Sequence, residues 1–75
     1  MTAKLTIGFL GAGKMAAALA KGFITAGLVK PGQILAGDPA EAARAAFVRE
    51  TGAKATAANA DVAKFAGVMV LAVKP

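Results

Sequence analysis

Short apolar runs alternate with segments of helical spacing along the whole chain. The apolar runs predict four β-strands, at Leu5 to Leu10, Gln33 to Gly37, Lys54 to Thr56 and Val68 to Val73. The segments between them predict three helices, at about Lys14 to Ala26, Pro39 to Thr51 and Asn59 to Ala66. The order βαβαβαβ with short loops predicts an α/β protein with an open parallel sheet. Right-handed crossovers then give the strand order 3-2-1-4.

The segment from Leu5 to Ala16 reads LTIGFLGAGKMA and combines a strand, a tight turn and a helix start. Gly11 allows the sharp turn, Gly13 allows a close approach of the backbone, and Ala16 is small enough for close helix–strand packing. The first N–H groups of the helix are then available to the pyrophosphate of a dinucleotide. The alternative is a glycine turn that only connects two elements. The strand–turn–helix context favours the dinucleotide and a Rossmann-type fold.

The apolar pattern also predicts which faces are buried. One stripe of the first helix is expected to face the sheet, formed by Met15, Leu19, Phe23 and Ala26. Gly8 inside the first strand indicates that another element comes close, and Gly22 is interpreted as allowing close packing on the sheet. The fourth strand is uniformly apolar, which predicts that it is buried.

Polar side chains predict how the second and third helices begin. Asp38 is expected to cap the second helix, with Pro39 at its first position and Glu41 completing a capping box. Asn59 is expected to cap the third helix.

Composition and charge narrow the classes of function. The chain has nine Lys and Arg against four Asp and Glu, which gives a net charge of +5, and it has no Cys or His. The basic residues are evenly spread and no Tyr or Trp is present to stack on bases, so the charge favours an anionic cofactor over nucleic acid. No run reaches the roughly 18 apolar residues of a membrane helix, and no signal peptide is evident. We expect a cytoplasmic protein with no membrane or nucleic-acid partner and no metal site.

The length of 75 residues leaves room for little more than one of the two halves of a complete dinucleotide-binding fold. We therefore expect residues 1–75 to form the N-terminal part of a longer protein. The fourth strand would then be an unpaired edge in the isolated chain, which favours self-association.

Four stretches together resemble the N-terminal part of pyrroline-5-carboxylate reductases. They are IGFLGAGKMAAALAKGF at 7–23, AGLVKPGQI at 26–34, Asn59, and LAVKP at 71–75. The resemblance implies hydride transfer from NADPH or NADH to the C=N carbon of 1-pyrroline-5-carboxylate, which forms L-proline. It also implies a homo-oligomer whose substrate pocket and dimer interface use a C-terminal helical domain absent from this chain.

The resemblance further implies which residues bind the cofactor, and it assigns no catalytic residue to this chain. Leu10, Gly11, Ala12, Gly13, Lys14 and Met15 would cradle the pyrophosphate. Asp38 would meet the adenosine ribose, and Asn59 would contact that ribose or its phosphate, unless Asn59 only caps its helix. Ala72, Val73, Lys74 and Pro75 would line the crevice near the nicotinamide, without a chemical role for Lys74.

Two positions depart from the family pattern. Position 14 is usually asparagine or glutamine, and Lys14 would either strengthen phosphate attraction or point to water. An acid about 25 residues past the glycine loop can accept both ribose hydroxyls of NAD and repels a 2′-phosphate. Asp38 therefore predicts that NADH is used at least as well as NADPH, although Arg44 could still reach a phosphate.

Other classes of protein share the glycine loop. A β-hydroxyacid dehydrogenase or a deazaflavin-dependent NADP reductase is the second interpretation. A nucleotide-sensing module without enzyme activity, or a basic nucleic-acid-binding domain, is the third.

Overall fold

A computed structural model describes residues 5–71 and contains one four-stranded sheet. The strands are β1 (Ile7–Leu10), β2 (Ile34–Gly37), β3 (Lys54–Thr56) and β4 (Val68–Leu71). The helices are α1 (Lys14–Thr25), α2 (Glu41–Thr51) and α3 (Asn59–Phe65), and a short 3₁₀ helix at Pro31–Gln33 precedes β2. The strand order is β3-β2-β1-β4 and every pairing is parallel. The predicted α/β class and strand order are confirmed.

The pairing register brings the carboxyl ends of three strands to one edge of the sheet. Leu10 at the end of β1 lies opposite Gly37 of β2 and Leu71 of β4. The glycine loop leaves β1 at this edge, and the connections to α2 and α3 begin beside it. In open parallel sheets this is the edge where ligands bind, at the point where the strand order reverses.

Two buried aromatic side chains form the centre of the core between the sheet and the helices α1 and α2. Phe9 of β1 and Phe47 of α2 are both fully buried, and their ring centroids are 6.1 Å apart. Phe23 of α1 stacks on Phe9 with a centroid distance of 6.3 Å. On the other face of the sheet, α3 contributes the fully buried Val62. Both faces of β1 are therefore covered.

Helix α1 buries a different face from the predicted one. Its buried residues are Ala16, Ala17 and Ala20, whereas Met15 is 58% exposed and Leu19 is 37% exposed. Of the predicted stripe, only Phe23 packs against the core. The prediction was wrong because three alanines, and not the larger apolar side chains Met15 and Leu19, are the buried residues of α1.

Glycines 8 and 22 have opposite environments. A Cβ on Gly8 would lie 2.6 Å from both the Cβ of Ala66 and the Cγ1 of Val62. The predicted close approach at Gly8 is therefore confirmed. Gly22 is exposed and a Cβ there would meet nothing within 4 Å, so the interpretation that it allows close packing was wrong.

Replacing Gly8 with alanine is expected to lower the free energy of unfolding by about 1–3 kcal/mol, the usual effect of overpacking. The new methyl group would force α3 away from β1, because both of its nearest neighbours belong to packed side chains. Urea unfolding of the two proteins measures the difference. Gly22→Ala is the matched control, and we expect it to be neutral or to stabilise by up to about 1 kcal/mol. A Gly8→Ala protein as stable as the original would contradict the packing described here.

Helices α2 and α3 begin without the predicted side-chain caps. The N-cap of α2 is Ala40, so Pro39 precedes the cap and no capping box joins Asp38 to Glu41. The N-cap of α3 is Ala58, which makes Asn59 the first helical residue. These predictions were wrong because α2 begins two residues later than a cap at Asp38 requires, and α3 begins one residue earlier than a cap at Asn59 requires. One carboxylate oxygen of Asp38 accepts from the N–H of Ala40, and the other reaches the glycine loop.

Strand β4 is largely exposed, contrary to the prediction from its apolar sequence. Val68 is 47% exposed, Met69 45% and Leu71 70%. Within residues 5–71, β4 pairs only with β1 and its outer side carries no further strand. An apolar strand is buried only when another element covers it. Within the described residues the outer edge of β4 is unpaired, as expected.

Candidate functional site

Gly11 forms the turn between β1 and α1. Its φ is 112°, a backbone conformation that residues with a side chain rarely adopt, as the sequence predicted for this position. Its N–H donates a hydrogen bond of 2.7 Å to the carbonyl oxygen of Gly37 at the end of β2. The turn is thus attached to the neighbouring strand.

The start of α1 offers unbonded N–H groups. Its N-cap is Gly13, which provides no side-chain cap, and the first turn contains no acidic residue. The earliest amide to bond back into the helix is that of Ala17, which donates to the carbonyl of Gly13 at 3.0 Å. Among the described residues, the exposed Gly13, Lys14 and Met15 have no acceptor for their N–H groups. Together with the positive end of the helix dipole, they form an arrangement that attracts anions.

The amide of Ala12 is not available to a ligand. It donates a hydrogen bond of 3.0 Å to Oδ2 of Asp38. The resemblance implied that the whole segment from Leu10 to Met15 cradles a pyrophosphate. Because the amides of Gly11 and Ala12 are bonded within the protein, the donors that remain for an anion are those of Gly13, Lys14 and Met15.

Asp38 connects the glycine loop to the turn before α2. Its Oδ2 accepts from Ala12, and its Oδ1 accepts from the N–H of Ala40 at 2.8 Å. The guanidinium of Arg44 donates to the main-chain carbonyl of Asp38, also at 2.8 Å. Residue 38 therefore lies at the predicted end of β2, with both carboxylate oxygens in hydrogen bonds.

Those hydrogen bonds keep the Asp38 carboxyl ionised. The N–H of Ala12 and then that of Ala40 lower the pKa of Asp38 below its ordinary 3.8, burial opposes them, and the charge of Arg44 adds to the lowering. A carboxyl whose pKa is lower in the folded state stabilises the fold above its ordinary pKa. This contribution is lost as the pH falls through the folded value.

Asn59 lies over the end of β2. A Cβ on Gly37 would lie 2.7 Å from the Oδ1 of Asn59 and 2.8 Å from the Cγ2 of the buried Val62, so a side chain at position 37 would displace its neighbours. The Asn59 side chain is exposed, and no cap of α3 uses it. The glycine loop, Asp38 and Asn59 are therefore neighbours at one edge of the sheet.

Lys14 and Met15 are both exposed at the start of α1. Lys14 lines a surface cleft of about 500 Å³ between α1 and α2, together with Lys21 and Glu50. The side chain of Lys14 is thus in contact with water. Ala72, Val73, Lys74 and Pro75, predicted to line the nicotinamide side, lie outside the described residues.

Sequence reasoning missed two features of this site. One is the bond between Ala12 and Asp38, and the other is the contact of Arg44 with the carbonyl of Asp38. Neither has a local signal in the sequence. The one indirect signal in the sequence was Gly37, directly before Asp38. A glycine at the end of β2 indicates close packing there, and the side chain of Asn59 occupies that space.

The part of the chain at 5–71 contains no cluster of three or more metal-ligating residues. In that same part, no helix combines the length and the apolar character needed to cross a bilayer.

A profile of the protein family described as "NADP oxidoreductase coenzyme F420-dependent" matches residues 6–75. The chain belongs to this family. It is similar to pyrroline-5-carboxylate reductase 2 of Rattus norvegicus and of Homo sapiens, each 38% identical over 72 residues, or 95% of this chain and 22% of the relative. It is 41% identical over 69 residues to the pyrroline-5-carboxylate reductase of Methanosarcina acetivorans, or 92% of this chain and 26% of the relative. The resemblance to the N-terminal part of these reductases is confirmed.

The chain spans about a quarter of the length of the curated relatives it matches. Unbonded amides at a helix start fit phosphate oxygens, and an ionised carboxylate with free lone pairs fits ribose hydroxyls. Among the described residues, the edge of the sheet presents both kinds of group.

Proposed function

We propose that this chain is the dinucleotide-binding part of a pyrroline-5-carboxylate reductase, with the substrate and dimerisation domain outside residues 1–75. The observation that carries the proposal is the set of amides at Gly13, Lys14 and Met15 that have no acceptor within residues 5–71, beside an ionised Asp38, at the edge where the strand order reverses. The whole protein would reduce 1-pyrroline-5-carboxylate to L-proline. We further propose a cytoplasmic homo-oligomer with no nucleic-acid or membrane partner.

The role of this chain in the reductase is to bind and orient the cofactor. The three amides hold the pyrophosphate, and Asp38 and Asn59 meet the adenosine ribose. The bound dinucleotide supplies the hydride. We assign no catalytic residue to the chain, so the 75 residues alone are expected to be inactive.

Asp38 supports the use of NADH at least as well as NADPH. Each of its carboxylate oxygens accepts one main-chain hydrogen bond, which leaves a lone pair on each for a ribose hydroxyl. Its negative charge opposes a 2′-phosphate. The guanidinium of Arg44, which could otherwise reach a 2′-phosphate, donates a hydrogen bond to the main-chain carbonyl of Asp38.

A steady-state assay of the full-length protein with pyrroline-5-carboxylate and each cofactor tests both parts of the proposal. We expect kcat/KM with NADH to equal or exceed that with NADPH. Asp38→Ser should raise the ratio of NADPH to NADH activity roughly tenfold, since like charges that are forced together cost several kcal/mol. Glu41→Gln, which removes a nearby charge but not the ribose contact, should leave the ratio unchanged.

Two results would contradict the proposal. A clear preference of the original protein for NADPH would overturn the role given to Asp38. Salt-sensitive binding of duplex DNA without any binding of NADH would overturn the enzyme assignment itself.

The family description favours a second candidate, a deazaflavin-dependent NADP reductase. The discriminating measurement is hydride transfer between reduced coenzyme F420 and NADP. The names of the similar reductases favour the first candidate.

A further inference from the structure

The carboxylate of Asp38 joins two loops that are 26 residues apart in the sequence. We propose that Asp38 is a positioning residue for the glycine loop. By holding the amide of Ala12, it presents the next three amides to the pyrophosphate. This inference rests on the proposed function, and it gives Asp38 a role beyond contact with the ribose.

Two consecutive residues of the loop are bonded to two consecutive residues at the end of β2. The N–H of Gly11 donates to the carbonyl of Gly37 at 2.7 Å, and the N–H of Ala12 donates to Oδ2 of Asp38 at 3.0 Å. The next amide, that of Gly13, is the first without an acceptor among the described residues. The change from bonded to unbonded amides therefore falls within the predicted cradle of residues 10–15, between Ala12 and Gly13.

Asp38 is itself fixed from three directions. Its N–H donates to the carbonyl of Thr56 in β3 at 3.0 Å, and its carbonyl accepts from Arg44 of α2 at 2.8 Å. Its Oδ1 accepts from Ala40 at 2.8 Å. The carboxylate is thus a fixed acceptor, and hydrogen bonds to an ionised acceptor are stronger than those between neutral groups. A loop that is ordered before binding loses less entropy when the ligand arrives.

Positioning and electrostatics predict opposite effects of removing the carboxylate. An ionised side chain bonded to the loop lies close to any anion held there. By Coulomb repulsion alone, its removal would tighten the binding of an anion. By positioning, its removal frees the loop and weakens that binding. The sign of the change therefore separates the two roles.

Inorganic pyrophosphate is the suitable probe because it has no ribose for Asp38 to contact. Calorimetric titration of the full-length protein would compare the original with Asp38→Ala and Asp38→Asn. We expect Asp38→Ala to weaken pyrophosphate binding roughly fivefold or more, the lower end of ordinary coupling between sites. The pyrophosphate affinity of Asp38→Asn should lie between that of the original protein and that of Asp38→Ala. The carboxamide oxygen can accept from one amide, while its NH₂ group faces the other.

Glu41→Gln is the matched control, because it removes one negative charge at the start of α2 and none of the described loop bonds. It should leave pyrophosphate affinity unchanged or slightly higher. Circular dichroism checks that each variant is folded. If Asp38→Ala is unfolded, the comparison of Asp38→Asn with the original protein decides the test.

The two possible failures are distinguishable. If the original protein binds NADH and pyrophosphate, and the folded Asp38 variants bind pyrophosphate equally or more tightly, the positioning role is overturned and the proposed function stands. If the original protein binds neither ligand, the proposed function is overturned and the positioning role with it.

Discussion

Replacing Phe47 with alanine is expected to lower the free energy of unfolding by about 3–5 kcal/mol, the usual effect of removing a buried phenyl ring. Phe47 is fully buried and its ring contacts that of Phe9 at a centroid distance of 6.1 Å. It is the largest side chain that α2 contributes to the core. A domain of this size has a net stability of only a few kcal/mol. The variant should therefore be largely unfolded at about 25 °C, as measured by circular dichroism and urea titration.

Val48→Ala is the control for this substitution. It removes apolar atoms from the adjacent position of the same helix, but Val48 is 43% exposed. The expected change is within about 0.5 kcal/mol, as for ordinary surface substitutions. Equal urea midpoints for Phe47→Ala and Val48→Ala would contradict the core described above.

Gly11→Ala is expected to weaken NADH binding by the full-length protein roughly tenfold or more. A φ of 112° is unfavourable for alanine. Holding a residue in such a strained conformation costs roughly 1–3 kcal/mol, so the loop should relax to another shape. That change would break the bond from Gly11 to Gly37 and misplace the amides that follow. Fluorescence titration with NADH measures the loss.

Gly22→Ala again provides the comparison, since it adds the same methyl group to an exposed glycine with nothing within 4 Å. Its NADH affinity should match that of the original protein. If Gly11→Ala also retained full affinity, the loop would not be the pyrophosphate site.

The topology was predictable because it depends on local signals that recur along the chain. Apolar runs ending in glycine mark strand ends, and the handedness of crossovers limits their order. The conformation of Gly11 and the close approach at Gly8 were predictable too. A glycine directly after a strand usually forms a tight turn, and a glycine inside a strand usually faces a neighbour that leaves no space for a side chain.

The internal bonding of the site was not predictable because it joins residues far apart in sequence. Asp38 has the spacing of a helix cap, and its Oδ1 does accept a local hydrogen bond from Ala40, but its Oδ2 accepts from Ala12 across 26 residues. Nothing local in the sequence shows the second bond. Asn59 is another example, since its position over Gly37 depends on how α3 lies against the sheet.

Burial was the least predictable property. Hydrophobicity alone favours Met15 and Leu19 as core residues, but the buried side of α1 is formed by three alanines together with Phe23. Which side of a helix is buried is a tertiary property. The exposure of β4 has a similar cause, because it depends on what lies beyond the strand.

The bond from the Gly11 N–H to the Gly37 carbonyl continues the hydrogen bonding of β1 and β2 into the turn. We therefore expect the turn to move with the sheet and not to act as a lid that opens and closes on its own. The proposed dinucleotide would meet a surface whose shape is already set. We expect its rate of association to be governed by diffusion and by the positive charge of the chain, and not by a slow rearrangement of the backbone.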